Sequence, residues 1–421
     1  MDEALIRDYI ASYLKKNVPE MIKREIKIEN ITGKATVIIG PRRAGKTYLL
    51  WQEISKYPRS KALYLDLEDI AFAGLGPGDA LRVIREIFTE VSGESAEVIF
   101  LDEIQNVEGW QGLVRSLLDR GYMLFITGSS SKLLSREIAT ELRGRSLPFL
   151  LLPFSFREFL LAKGYTVDKN SLEDAGKARK LLRKYLEFGG YPEVVLNPEH
   201  RERILADYRD MIFFKDFVER QRIRSIEVGR FIFTFVTQAF SSEISYRSVL
   251  KSLKSAGVRF GKNTVYEYIN RLQDTMAFFL LDRYSTKVKL RSGWPRKVYL
   301  ADTGLAWRLP YDGGRLAENV VFLELKRRQK PGSEIYYYRD AENHEVDFLI
   351  KDGPAVSELI QVTLASAKRE IKDSEIDNLI TASKLLRCST LSVITWDYDS
   401  VETVKAGKQI RFVPLWKWLT E

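Results

Sequence analysis

Residues 40–47 read GPRRAGKT, two glycines bracketing a short basic turn that ends in a lysine and a hydroxyl. That order of residue types suits one chemistry, the holding of phosphates. Gly40 and Gly45 let backbone N–H groups converge on phosphate oxygens at the start of a helix, Lys46 reaches the β and γ phosphates, and the Thr47 hydroxyl ligates magnesium. Pro41, Arg42, Arg43, Ala44 and Tyr48 complete the expected cradle, with Arg42 and Arg43 either adding positive potential or facing solvent. A second set of candidates closes the apolar run of EVIFLDEIQ: Asp102, expected to hold the magnesium through water, and Glu103, expected to polarise the attacking water as general base. Thr127, at the end of YMLFITGSSS with Ser129 and Ser130 just beyond, is a candidate γ-phosphate sensor, the alternative being an ordinary serine-rich turn or cap. Arg143 and Arg145 in ELRGRS are candidate arginine fingers, in cis or from a neighbouring subunit, with Arg145 preferred and plain surface solvation the alternative. The implied ligands are ATP or ADP with Mg2+.

These groups need a frame. KATVIIG is a short β-branched strand, and GPRRAGKTYLLWQEI turns from it into a helix with Leu49, Leu50 and Ile54 on one face, the context a P-loop requires. KALYLDLED, EVIFLDE, YMLFIT and SLPFLLL read as further strands, alternating with helices at GDALRVIREIFTEV and WQGLVRSLLDR. That alternation predicts an α/β unit with a five-stranded parallel sheet, whose ligand sits at the carboxyl ends of the strands.

At 421 residues the chain has room for several domains. A single cysteine, Cys388, excludes an intramolecular disulfide and fits a reducing compartment; it reads as a small buried hydrophobe. Apolar runs such as MAFFLL and SLPFLLLPF fall far short of the ~20 residues a membrane span needs, so a soluble cytoplasmic protein without a membrane partner is expected. The formal charge of +9 favours an acidic partner, nucleic acid above all, and Ile244–Tyr299, with twelve Lys or Arg against three Asp or Glu, carries an excess equal to that of the whole chain.

GPRRAGKT, VIFLDE, ITGSSS, LRGR, LPFSFREF and FGGYPEVV together resemble the archaeal-type AAA+ ATPases, P-loop proteins abundant in archaea and also found in bacteria. LPFSFREF and GGYPE are the segments that point to this family in particular. The resemblance implies ATP hydrolysis and an order of parts: a five-stranded ATPase core over 1–165, a helical lid over 166–226, a winged-helix segment over 227–308 and a nuclease-like α/β domain over 309–421.

The residues of the rear parts fit that order. KARKLLRKYLEFGGYPEVV and RILADYRDMIFFKDFVERQRI are helical in period, broken at Gly189, Gly190 and Pro192. VGRFIFTFVTQAF, SYRSVLKSLKSAG and NTVYEYINRLQDTMAFFLL read as three helices, and DRYSTKVKL and RKVYLADTG as two strands around a Gly-Pro-bearing turn, which is winged-helix order. Lys262, Asn263, Tyr266 and Arg271 then lie on or near the helix that such modules place in the DNA major groove, with Lys287, Lys289 and Arg291 on the wing; a protein-interaction platform is the alternative. Further on, a helix, three strands, a helix and a strand resemble the restriction-endonuclease-like core. Glu318 and Asp347 stand where its first two metal-binding carboxylates belong, but its third motif reads Gln361, Val362, Thr363, without carboxylate or lysine. Glu358 points to the other face of its strand, which leaves Lys368 as the one candidate for a migrated lysine, and His344 reads as structural or exposed. An inactive interaction frame is therefore expected.

The leading expectation is a Mg2+-dependent ATPase that drives a DNA- or protein-binding rear half and that forms oligomers if Arg145 acts in trans. An ATP-gated metal-dependent nuclease and a slow nucleotide-controlled assembly switch are the alternatives.

Overall fold

The computed structural model describes residues 2–128, 142–168, 171–285, 295–404 and 407–421, so that Ser129, Ser130, Lys287, Lys289 and Arg291 lie outside the described residues. The chain forms two compact units, Met1–Leu151 and Leu152–Glu421.

In the first unit the five expected strands are present: β1 (Ala35–Ile39), β2 (Ala62–Asp66), β3 (Val98–Asp102), β4 (Met123–Gly128) and β5 (Ser146–Leu150). They pair in the order β2-β3-β4-β1-β5, every pair parallel. A parallel sheet covered on both faces selects near-continuous apolar runs, and all five residues of β1 are buried. Register aligns the carboxyl ends: Ile39 lies opposite both Gly128 and Leu150, and Asp66 opposite Asp102. Helix α1 (Glu3–Lys15) is capped by Asp2, α2 (Lys46–Ile54) follows β1, and α3 (Pro77–Arg82) runs through a π segment, Val83–Ile87, into α4 (Phe88–Ser92). Helix α5 (Trp110–Asp119) precedes β4. Phe100 and Phe125 stack across β3 and β4 with ring centroids 4.6 Å apart, and truncating either to Ala would cost about 3–5 kcal/mol.

The second unit opens with α6 (Phe156–Ala162), started by a capping box between Ser155 and Glu158, and continues through α7 (Leu172–Phe188), α8 (Pro192–Leu196) and α9 (Arg201–Met211). The break between α7 and α8 has a packing cause. A Cβ on Gly189, whose φ is +75°, would lie 1.6 Å from Asp302 Oδ1, so only glycine admits that carboxylate. Asp302 accepts hydrogen bonds from the N–H of Gly190 at 2.7 Å and of Gly304 at 2.9 Å, while Gly190 O accepts from Phe154 N at 2.8 Å. FGGYP and ADTG thus meet at one buried carboxylate, with LPFSF bonded to Gly190 beside it.

Helices α10 (Ile226–Gln238), α11 (Tyr246–Ser255) and α12 (Lys262–Gln273) accompany a three-stranded antiparallel sheet ordered β6-β8-β7, from β6 (Glu243–Ile244), β7 (Phe278–Leu281) and β8 (Arg296–Leu300). This corrects the expected helix through MAFFLL. The helix ends at Gln273, Met276 takes a left-handed φ of +60°, and Phe278–Leu281 pairs with β8; a short apolar run fits either period, and only pairing decides. Nor do 282–285 form the strand expected at DRYSTKVKL, where Arg283 makes only an isolated bridge with Tyr337.

Helix α13 (Gly313–Arg328) leads to a six-stranded sheet of β9 (Ser333–Arg339), β10 (Glu345–Asp352), β11 (Ala355–Val362), β12 (Leu391–Thr395), β13 (Ser400–Thr403) and β14 (Gln409–Pro414). Its order is β13-β14-β12-β11-β10-β9, with α14 (Asp373–Leu386) between β11 and β12 and α15 (Leu415–Leu419) last. Helix α14 is preceded by a single 3-10 turn at Lys368–Glu370. Cys388 is buried, as expected of a small hydrophobe. Among the described residues no helix is long and apolar enough to cross a membrane.

Candidate nucleotide site

Strand β1 ends at Ile39 and the chain reverses through Gly40–Gly45 into α2. Gly45 makes the turn with φ +95°, Arg43 is left-handed at +66°, and the amino end of α2 carries no side-chain cap. The first N–H groups of a helix have no intrahelical acceptors, so this end is built to receive an anion. Gly40 has a second reason to be glycine: a Cβ there would lie 1.9 Å from the carbonyl oxygen of Leu151, whose N–H donates to Ile39 O at 2.7 Å. Ala44 O accepts from the buried Arg24 guanidinium at 2.7 Å, and Pro41 O from Ala44 N at 3.3 Å. Arg42 approaches Glu68 at 3.7 Å, while Tyr48 is half exposed on α2.

The side chains expected to do chemistry converge here. Lys46, 5% exposed, places its ammonium 3.3 Å from the carbonyls of Gly40 and Pro41 and 3.4 Å from the Glu103 carboxylate. Thr47 donates to Asp102 Oδ2 at 2.6 Å, and this oxygen pair is a hard donor set of the kind magnesium takes while keeping most of its waters. The fully buried Thr127 hydroxyl donates to Asp102 Oδ1 and accepts from the N–H of Glu103 at 2.9 Å. Burial pushes the Asp102 carboxyl above its ordinary range, and the bonds from Thr127 and Thr47 oppose that shift. Glu103 sits at φ +50°, a left-handed conformation sparsely used outside glycine, which aims its side chain at Lys46 rather than along the strand. The set fits the phosphates of a nucleotide with its magnesium.

Three partners carry no signal in the sequence. Tyr64 on β2 donates to Asp102 Oδ2 at 3.0 Å, Gln105 Nε2 donates to the Glu103 carboxylate, and Arg24 braces the loop. Each reads as ordinary strand, turn or surface until the sheet brings it in.

Arg145 is not brought in. It precedes β5 and its carbonyl accepts from Ala35 N, so it lies at the amino edge of the sheet, opposite the loop that follows Ile39. Five strand residues, at ~3.3 Å each, separate the two edges. Its guanidinium pairs with Asp119. Of the two routes open to Arg145, in cis or from a neighbouring subunit, this placement does not support the first, because the residue lies at the sheet edge away from its own loop. Arg143 is in the same amino-edge turn at φ +52°.

In the second unit Lys262, Asn263 and Tyr266 form an exposed face of α12, whereas Arg271 is turned inward, bonded to Gln221 O and paired with Glu267. Glu318 and Asp347 do come together, joined by Glu345, and the group between them is Lys297 of β8. The sequence reading missed both Glu345 and Lys297; the i, i+2 spacing of Glu345 and Asp347 on one strand is a signal that could have found the first, and nothing local marks the second. Lys368 does not reach the cluster, being exposed and paired with Glu402. Glu358 bonds Ser392 at 2.7 Å instead, and His344 pairs with Asp340 at 2.7 Å.

The five-stranded order and the loop contacts define a P-loop protein of the AAA+ class. Residues 32–160 match the AAA domain, 179–313 a domain of unknown function (DUF8612) and 313–418 another (DUF4143). The chain is 36% identical over 95% of its length to the uncharacterized protein MJ1544 of Methanocaldococcus jannaschii, covering 91% of that protein. It is 30% identical over 86% of its length to an uncharacterized protein of Haemophilus influenzae, covering 90% of it. The chain belongs to the family of these proteins. A solved structure of the Aeropyrum pernix ORC1 protein in complex with DNA is similar at 14% identity over 77% of this chain and 93% of that one, with a TM-score of 0.30, a likeness too slight to bear on function.

Proposed function

We propose that the protein binds ATP with Mg2+ at the Gly40–Thr47 loop and hydrolyses it. Lys46 and the α2 amino end hold the phosphates, Thr47 and Asp102 hold magnesium, Glu103 orients the attacking water, and Thr127 fixes Asp102 and Glu103 relative to each other. The observation that carries this reading is the convergence of Lys46 and Thr47 from the start of α2 with Asp102, Glu103 and Thr127 from the ends of β3 and β4 into one bonded group at the carboxyl edge. Arg145 acts, in this reading, only on the nucleotide of a neighbouring copy. The rear half is the output: a helical lid over 166–226, a winged helix over 227–308 whose exposed Lys262, Asn263 and Tyr266 meet duplex DNA, and a nuclease-like frame over 309–421 without nuclease activity.

Steady-state ATP hydrolysis by wild type, Lys46→Ala and Glu103→Gln, with and without duplex DNA, tests it. Lys46→Ala loses nucleotide binding, and Glu103→Gln keeps binding while losing turnover. Normal turnover by Glu103→Gln would remove Glu103 from the role of base. Hydrolysis indifferent to DNA would turn the rear half toward a protein partner.

A further inference from the structure

Lys297 is among the most enclosed charges in the second unit, 3% exposed. Its ammonium lies 2.9 Å from Glu318 Oε1, 2.8 Å from Glu345 Oε1 and 3.0 Å from Asp347 Oδ1. An ammonium has three N–H donors, and three carboxylates surround this one. Their other bonds come from the protein too: Glu318 Oε1 also accepts from Tyr299 OH at 2.8 Å, Asp347 Oδ2 from Val362 N at 3.0 Å, and Glu345 Oε2 from Arg339, which reaches on to Glu243 at 2.9 Å.

Two of these carboxylates occupy the positions where the resemblance to a nuclease frame implies a divalent metal. The residues present do not fit one. Magnesium draws carboxylate oxygens to about 2.0–2.1 Å, whereas this cage is spaced for N–H···O contacts, and its centre is filled by a side chain. The geometry points to Lys297 as a built-in cation that takes the place of the metal, so that the cluster joins elements of the second unit instead of cleaving a phosphodiester. The lysine comes from β8, Glu318 from α13, and Glu345 and Asp347 from β10, so one ammonium ties the three-stranded sheet to the six-stranded sheet and its helix, and Arg339 of β9 adds a link to Glu243 of β6. This inference is independent of ATP hydrolysis at the P-loop.

The full chain, freed of metal with a chelator and without nucleotide, tests it through thermal melting and Mn2+ binding followed by electron paramagnetic resonance. Wild type should show no Mn2+ binding that Asp347→Asn abolishes, and no Asp347-dependent gain in melting temperature. Lys297→Met strands buried carboxylates and should melt about 10 °C or more lower without metal, regaining part of the loss with millimolar Mn2+. Lys297→Met combined with Glu318→Gln and Asp347→Asn should restore melting without metal, which keeps the test decisive if the single variant does not fold. Mn2+ bound by wild type through Asp347, or a Lys297→Met protein that melts like wild type, or a triple variant no more stable than Lys297→Met, would overturn the assignment.

Discussion

Replacing Thr127 by Val isolates what the strand-end hydroxyl does. Valine keeps the shape of a fully buried side chain and removes both hydrogen bonds, the one given to Asp102 Oδ1 and the one taken from the N–H of Glu103. The N–H left in a buried setting costs about 1–3 kcal/mol of stability. The effect on chemistry is separable, because only loss of the fixed relation between Asp102 and Glu103 is felt there. One hydrogen bond to a charged group contributes about 1.5–3 kcal/mol, which corresponds to roughly 10- to 100-fold in kcat if it is expressed in the transition state. Lys46 and the helix end are untouched, so ATP affinity, read with a fluorescent analogue, should change less than about threefold. Thr127→Ser retains the hydroxyl and should recover most of the rate. A Thr127→Val protein with wild-type kcat and wild-type melting temperature would refute the role given to this side chain.

Gly40→Ala should disrupt the first unit as well as nucleotide binding, since its Cβ meets backbone at Leu151 that has no rotamer to yield; a lowered melting temperature without any ligand present checks this. Burial pushes the Asp302 carboxyl up to about 7, so its folded-state pKa lies above the ordinary value of 3.8. The native state then holds the proton more firmly than the unfolded chain, and this contribution to stability is full below about pH 4 and lost as pH rises through about 7. Denaturant titrations across that window should show wild type losing stability and Asp302→Asn changing less. Arg145→Ala should leave turnover per subunit unchanged in dilute monomer and lower it only where copies associate, which a concentration series of hydrolysis rates reads directly.

The first unit was legible because buried parallel strands must be apolar along their whole length, and because glycines, a lysine and acidic residues punctuate their ends. The same signals located Lys46, Thr47, Asp102, Glu103 and Thr127. Tyr64 was invisible since a tyrosine in an apolar run looks like packing until a neighbouring strand aims it at a carboxylate. Phe278–Leu281 was read as helix because four apolar residues carry no period of their own. Lys297 lies 50 residues along the chain from Asp347, on a different sheet, and nothing local to it marks an ion pair. The edge strand β13 is short and mostly polar, a pattern shared with loops.

Gly40 bears on how relatives of this protein should be compared. Its hydrogen is demanded twice, by a phosphate-binding turn and by the carbonyl of Leu151, so a lineage that abandoned nucleotides would still be held to glycine there by the closure of the sheet. Identity at position 40 across an alignment is therefore weak testimony to ATP. Glu103, whose carboxylate meets Lys46 and Gln105, is a position where inheritance would speak about chemistry.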